Sequence, residues 1–330
     1  MKQFTFYILL FFLLINSKIA NAQANFIRQQ NVPVQVGANI LKMPWAGGLN
    51  FPLFSEFDFN QDGIKDLFIF ERVNNRIICL VNQGTPNQVD YVFAPQYFHM
   101  FPPAQYWAFT HDYNCDGRND FFTLSSTYNG IKVYRNDSIN SSSFQFTLIT
   151  PQLKCQYPST FTNIPAAYGL FPAFSDIDND GDMDILALSS SVPGLIEFDK
   201  NISVESGFGC DSLKFQYATS CWGNMLLPVS ANCGNTGISC RTGWEPDSGP
   251  KTNLNNDNYR IDYYDQSDAA RHDDTMSCIC IIDIDNDNDK DLLIGGLGDN
   301  NEQMTRNGGT PFAAVIDSVD CLWPNYSTPV

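Results

Sequence analysis

Apolar residues along this chain fall in short runs or alternate with polar ones, and no window sustains the 3.6-residue apolar rhythm of an amphipathic helix. The runs Leu67-Phe68-Ile69-Phe70, Phe121-Phe122-Thr123-Leu124, Ile185-Leu186-Ala187-Leu188 and Leu292-Leu293-Ile294 are strand-length, and β-branched and aromatic side chains fit a pleated, half-buried surface. A further strand pattern follows each run and leads to an asparagine: Arg76 to Asn82, Gly130 to Asn136, Gly194 to Asn201, and the segment reaching Asn307. Asn82-Gln83-Gly84-Thr85-Pro86 and Asn307-Gly308-Gly309-Thr310-Pro311 are almost the same turn. The pattern therefore predicts an all-β chain made of a repeated unit of short strands. Aromatic residues, 14% of the chain, suit a core in which rings fill the space between facing sheets.

One phrase precedes each of the four runs, with oxygen-bearing residues at positions 1, 3, 5 and 9. The first copy is Asp58, Asn60, Asp62 and Asp66; the second is Asp112, Asn114, Asp116 and Asp120. The third is Asp176, Asp178, Asp180 and Asp184; the fourth is Asp283, Asp285, Asp287 and Asp291. A carbonyl near position 7, held by Ile64, Arg118, Asp182 or Asp289, is expected to complete the set. Hard cations such as calcium take oxygen ligands from short loops of this kind, with a glycine for the sharp bend. Position 6 is Gly63, Gly117 and Gly181, and in the fourth copy Asn288, a residue type that tolerates the left-handed backbone. An EF-hand shares the early positions but needs a bidentate glutamate at position 12 between two helices. Here position 12 is Ile69, Thr123, Ala187 and Ile294, and the flanks are strands. About four structural Ca2+ ions are expected, held more tightly by the four-aspartate sets of the last two loops than by the first two.

Successive first aspartates lie 54, 64 and 107 residues apart. A period of that size, filled with short strands, is what stacked propeller blades give. The doubled last interval contains a stretch of about 221–276, rich in Asn, Gly, Ser and Asp, which reads as a long surface insertion rather than a blade lacking its loop. Long loops on a rigid scaffold are frequent binding sites.

At the N-terminus Lys2, the apolar run Phe4 to Ile15 and the small-residue site Ala20-Asn21-Ala22 predict a signal peptide over 1–22, leaving 23–330 as the propeller. That run is too short for a membrane span, which needs about 20 apolar residues. The net charge of -17 argues against nucleic acid, whose phosphates demand Lys and Arg clusters. The loops hold 16 of the 36 acidic residues, three in each of the first two and five in each of the last two. The acidity is thus mainly a metal-binding signature. All ten cysteines follow the signal peptide, so disulfides are expected in an exported chain, with at least one bridge among Cys210, Cys221, Cys233 and Cys240. Cys278 and Cys280 share one face of a strand and are not expected to bond each other.

The Asp-x-Asp/Asn-x-Asp-Gly-x-x-Asp-Leu pattern at blade spacing, with Phe54-Ser55 or Phe174-Ser175 ahead of it, resembles the FG-GAP/VCBS repeats of integrin α-subunit propellers and many secreted bacterial proteins. Ala46-Gly47-Gly48-Leu49-Asn50, Asp112 to Gly117, Cys221-Trp222-Gly223-Asn224 and Arg271-His272 look like the secreted bacterial branch. The resemblance implies an all-β fold: a β-propeller of four-stranded blades with structural calcium-binding loops. It also implies a full ring of about seven blades, of which this chain offers about four to five, so a C-terminally truncated propeller without a sorting module is expected.

Catalytic signatures are thin. The three histidines are His99, His111 and His272; there is no zinc-type His-Glu-x-x-His and no Gly-x-Ser-x-Gly elbow. The sequence reading is a non-catalytic, calcium-stabilised adhesion or ligand-binding scaffold, secreted or on the cell surface, whose partner is an extracellular protein or glycan. The alternatives are an enzyme acting on extracellular polysaccharide or another polymer, with its site on a propeller face formed by the insertion that ends near His272, and a display module for a missing C-terminal domain.

Overall fold

The strand-length runs fold as strands and the acidic phrases between them as turns. The computed structural model describes residues 32–225, 278–295, 302–320 and 323, apart from 42, 46, 128, 167, 168, 170 and 189–194. The expected signal peptide, most of the 221–276 stretch with His272, Cys233 and Cys240, and the C-terminal residues 324–330 lie outside the described residues. The chain divides into a unit ending at Gly47 and a unit from Gly48 onward. In the first, β1 (Gln35–Val36) and β2 (Asn39–Ile40) form an antiparallel pair, and Trp45 Nε1 donates to the Val32 carbonyl at 2.7 Å.

Among its described residues the second unit is all-β and carries four blades in a propeller arrangement. The first blade is β3 (Pro52–Phe57), β4 (Asp66–Glu71), β5 (Arg76–Asn82) and β6 (Tyr91–Phe93), antiparallel and in sequence order. The second repeats this with β7 (Ala108–His111), β8 (Asp120–Ser125), β9 (Gly130–Asn136) and β10 (Phe146–Thr150). A hairpin follows, β11 (Lys154–Gln156) and β12 (Phe161–Asn163). The third blade is β13 (Ala173–Ser175), β14 (Asp184–Leu188), β15 (Ile196–Asn201) and β16 (Phe215–Thr219). The fourth is β17 (Cys278–Ile282), β18 (Asp291–Gly295), β19 (Gln303–Asn307) and β20 (Ile316–Asp320).

The third sheet departs from the four-strand expectation. The β11–β12 hairpin adds to its outer edge, β11 running parallel to β16 with Cys155 opposite Phe215, so the sheet has six strands. An outer strand otherwise presents unpaired backbone groups, and this hairpin covers them. The helical content among the described residues is two 3₁₀ turns, Pro95–Met100 and Trp222–Asn224, and no helix there is long and apolar enough to cross a membrane.

Packing follows the alternation read from sequence. One core joins the first three blades, with Phe57, Phe59, Phe68, Phe101, Trp107, Phe121, Phe122 and Phe144 from the first two and Ile185 and Phe215 from the third, and Phe101 is ringed by Phe57, Phe68, Phe121, Phe144 and Phe146 at centroid distances of 5.1–5.7 Å. A second, more aliphatic core of Ile177, Leu186, Leu188, Ile196, Trp222, Ile279 and Leu292 joins the third and fourth. First strands of successive blades meet directly. Ser55 and Thr110 share a 2.8 Å hydroxyl hydrogen bond, and Thr110 Oγ1 donates to the Glu56 carbonyl at 2.6 Å. Each fully buried aromatic ring contributes about 2–3 kcal/mol through its lost water contact, so the aromatic cluster is a large part of what holds the first blades together.

Candidate metal loops

Every acidic phrase connects the first strand of a blade to the second, and its ninth residue opens that second strand. All four copies share one set of hydrogen bonds. At position 1, Asp58, Asp112, Asp176 and Asp283 accept from the amides of positions 5 and 6, at 2.8–3.2 Å. At position 5, Asp62, Asp116, Asp180 and Asp287 accept through Oδ1 from the position-7 amides of Ile64, Arg118, Asp182 and Asp289, at 2.8–3.1 Å. The chain thereby wraps round its own carboxylates.

Position 9 is the deepest of the ligand positions. Asp66, Asp120, Asp184 and Asp291 are all buried. Oδ2 of each accepts from the position-2 amide, that of Phe59, Tyr113, Ile177 or Ile284, at 2.8–3.1 Å. Oδ1 accepts from the amide of the asparagine ending the third strand, Asn82, Asn136, Asn201 or Asn307, at 2.7–2.8 Å. One carboxylate therefore ties the start of the loop to a strand two places across the sheet, and the recurring asparagine adds a side-chain acceptor, its Oδ1 taking the amide of Gly84, Ser138, Lys214 or Gly309. The asparagine side chains continue the network: Asn136 Nδ2 donates to the Asn119 carbonyl at 3.0 Å, and Asn307 Oδ1 accepts from Gly309 and Val315.

Backbone conformation explains the residue choice at the bend. Position 6 is left-handed in every loop, at φ 83°, 84° and 100° for Gly63, Gly117 and Gly181 and 73° for Asn288. The sequence expectation for Asn288 is met. Position 4 is left-handed as well, in Gln61, Cys115, Asn179 and Asn286 at φ 57–63°. Only two of those four are asparagines, so sequence gave little sign of it.

Burial and mutual repulsion push the loop carboxyls up: Asp66 to about 6, Asp120 to about 7 and Asp184 to about 8, with burial the largest cause in each. Several oxygens or amide acceptors are buried with no hydrogen-bond donor, namely Asn114 Oδ1, Asp178 Oδ1, Asp182 Oδ1 and Asp289 Oδ1. Carboxylate oxygens of Asp176, Asp178 and Asp184 lie within 4.8 Å of one another, as do those of Asp283, Asp285 and Asp291. An all-oxygen donor set, with buried acceptors that lack a donor in the second, third and fourth loops, fits a hard divalent cation and offers nothing that a softer metal prefers.

The loops also touch in sequence. Lys65 Nζ donates to Asn119 Oδ1 at 3.0 Å, linking the first loop to the second, and Asn179 Nδ2 donates to the Asn288 carbonyl at 2.6 Å, linking the third to the fourth. Between the second and third blades the link is covalent: Cys115, at position 4 of the second loop, is disulfide-bonded to Cys210 in the connection after β15. Cys210 thus pairs across blades rather than with a neighbour in its own cysteine cluster. Cys221 is disulfide-bonded as well, while Cys79, Cys155, Cys278 and Cys280 are free thiols. His111, half-buried at the end of β7 opposite Asp120, has its pKa lowered by burial.

Position 2 of the phrase carries a further signal. Position 2 is always large and apolar, and Phe59, Tyr113 and Ile177 are buried in the cores, anchoring each loop from beneath.

Residues 112–187, spanning the second loop through the third, match the family model of the FG-GAP-like repeat. No curated protein matches the chain.

Proposed function

The chain is an FG-GAP-repeat β-propeller protein, and from that premise we propose that it acts outside the cell as a non-catalytic, calcium-stabilised scaffold for adhesion or ligand binding. The single observation carrying the reading is the shared hydrogen-bond wiring of four acidic loops, three of which hold buried oxygens that lack a donor. In this reading positions 1, 3, 5 and 9, with the position-7 carbonyl, hold the ion in each loop. Calcium would supply the positive charge that lets clustered, buried carboxylates stay ionised, so its binding free energy becomes folding free energy. Export is supported by the apolar N-terminal run and by the disulfides, which persist in oxidising surroundings. The abundant aspartates are accounted for by the loops and leave no need for a catalytic pair. The proposed partner is an extracellular protein or glycan.

Melting the protein with and without chelator, then repeating after adding calcium back, tests the metal. A loss of ~10 °C or more on chelation, restored by calcium, is expected, since tight ligands stabilise by several kcal/mol. An unchanged melting temperature removes calcium from the reading. Screening the purified protein against glycan and extracellular-protein panels for both binding and turnover tests the scaffold role, and turnover of any glycan would replace it with the enzyme alternative.

A further inference from the structure

The third and fourth loops carry the same four aspartates, yet their surroundings differ in one charged side chain. The residue just before the asparagine that ends the third strand is Val81, Arg135, Lys200 and Arg306 in the four blades. Arg135 turns away from its loop to Asp137, with Nε to Oδ1 at 2.7 Å, and Arg306 is exposed. Lys200 instead turns into the third loop. Its Nζ bonds Asp178 Oδ2, lies 3.3 Å from Asp180 Oδ2 and pairs with Glu205 Oε1 from the connection after β15.

These are ligand oxygens. Asp180 Oδ1 is already taken by the Asp182 amide, so Oδ2 is the oxygen left for an ion, and Lys200 stands beside it. Asp178, 3% exposed, is split: Oδ2 holds the ammonium, and Oδ1 has no donor. In the fourth loop the lysine at position 8, Lys290, reaches out to Asn179 Oδ1 at 3.4 Å and leaves the carboxylates of its own loop alone.

We propose that Lys200 is a built-in counter-ion of the third loop, competing with a divalent cation for Asp178 and Asp180, so that this loop is a weaker calcium site than the fourth and keeps its shape better than the fourth without calcium. The inference rests on the calcium reading above and deepens it. Two loops with equal ligand sets then differ in affinity because one already holds a positive charge at its ligand oxygens. A divalent ion entering the third loop must displace that ammonium or share the site with it, and like charges a few ångströms apart in a partly buried site repel strongly. The four-aspartate rule, by which both late loops should be equally tight, therefore holds for the fourth and fails for the third.

The test is a calcium titration of the full-length protein by calorimetry, comparing wild type with Lys200→Met and Lys200→Arg. In Lys200→Met one site is expected to tighten by about tenfold or more, as ligand-shell charge tunes such loops over decades of affinity. The same variant should melt lower than wild type in chelator and recover on adding calcium. Lys200→Arg, which keeps the charge, should titrate as wild type. If Lys200→Met folds only with calcium, loading it first and withdrawing the metal with a competing chelator yields the same affinities. Calcium binding at unchanged affinity in Lys200→Met overturns the role of Lys200 while leaving the calcium reading intact. Failure of wild type and variant alike to bind calcium overturns the calcium reading, and this inference with it.

Discussion

At position 9 a single carboxylate serves two backbone amides from opposite sides, and nothing else of that size can do so. Asp120 accepts from Tyr113 through one oxygen and from Asn136 through the other, both while fully buried. In Asp120→Asn the new NH2 group must face one of those amides, so one hydrogen bond is lost and two donors confront each other. A cost of about 2–4 kcal/mol is expected, the range for leaving a buried donor unsatisfied beside a lost charge-assisted bond. Chemical denaturation at saturating calcium measures it, and a cost below roughly 1 kcal/mol would show that the loop closes by other means. The position-6 bend makes a contrasting prediction. A Cβ built on Gly117 meets nothing within 4 Å, so the penalty of a side chain there is purely conformational. Gly117→Ala should therefore cost about 1–2 kcal/mol, whereas Gly117→Asn should cost clearly less, because Asn288 already occupies the same bend at φ 73°. Equal melting temperatures for the two variants would refute the conformational account.

Between residue and blade, the β11–β12 hairpin shows what a strand pattern cannot reveal. The four strand-opening runs and their loops were legible in the sequence because each carries local chemistry: alternation, turn residues, repeated aspartates. The hairpin and the Cys115–Cys210 bridge were not, since both depend on which chain segments the fold brings together across the sheet, and Cys210 sits among closer cysteines that draw attention. Beneath the hairpin lie two carboxyls on one face of β15, Glu197 and Asp199, met by Cys155 of β11 and by Tyr157 just after it, and flanked by Tyr217 of β16, whose pKa both carboxyls influence. Tyr157 donates to Glu197 at 2.5 Å, but neither Asp199 oxygen meets a well-formed hydrogen bond. Burial raises both carboxyls above their ordinary range, Asp199 most. The folded state then holds more protons than the unfolded chain, so stability falls as pH rises from about 4, the ordinary carboxylate value, through the raised folded-state values. Asp199→Asn removes the penalty. It should leave melting near pH 4 unchanged and raise it at pH 8 by several degrees, each ~1 kcal/mol being worth about 2–4 °C in a domain of this size. A variant no more stable than wild type at pH 8 would show that the pair is satisfied there by other means.

Across the whole molecule the blades differ in how far each loop depends on an external cation. The second loop has Arg118 on its own Asp116, and the third has Lys200 on Asp178 and Asp180; a disulfide joins the second blade to the third, and the hairpin seals the third blade's outer edge. The first loop has no cation on Asp58, Asp62 or Asp66 among the described ion pairs, and the fourth packs five aspartates into nine residues with its lysine turned elsewhere. Withdrawing calcium should therefore release the first and fourth blades before the second and third. Limited proteolysis in chelator, read by mass spectrometry, is expected to leave a persistent fragment covering 108–219, and calcium should protect all four blades. Salt should act in the same direction as calcium but weakly, because screening at molar ionic strength, with a Debye length of about 3 Å, softens repulsion between exposed carboxylates without supplying a ligated charge. Cleavage of all four blades at one rate in chelator would mean that the internal cations and the bridge carry no stability of their own. The molecule would then depend on calcium uniformly, as the repeated sequence taken alone implies.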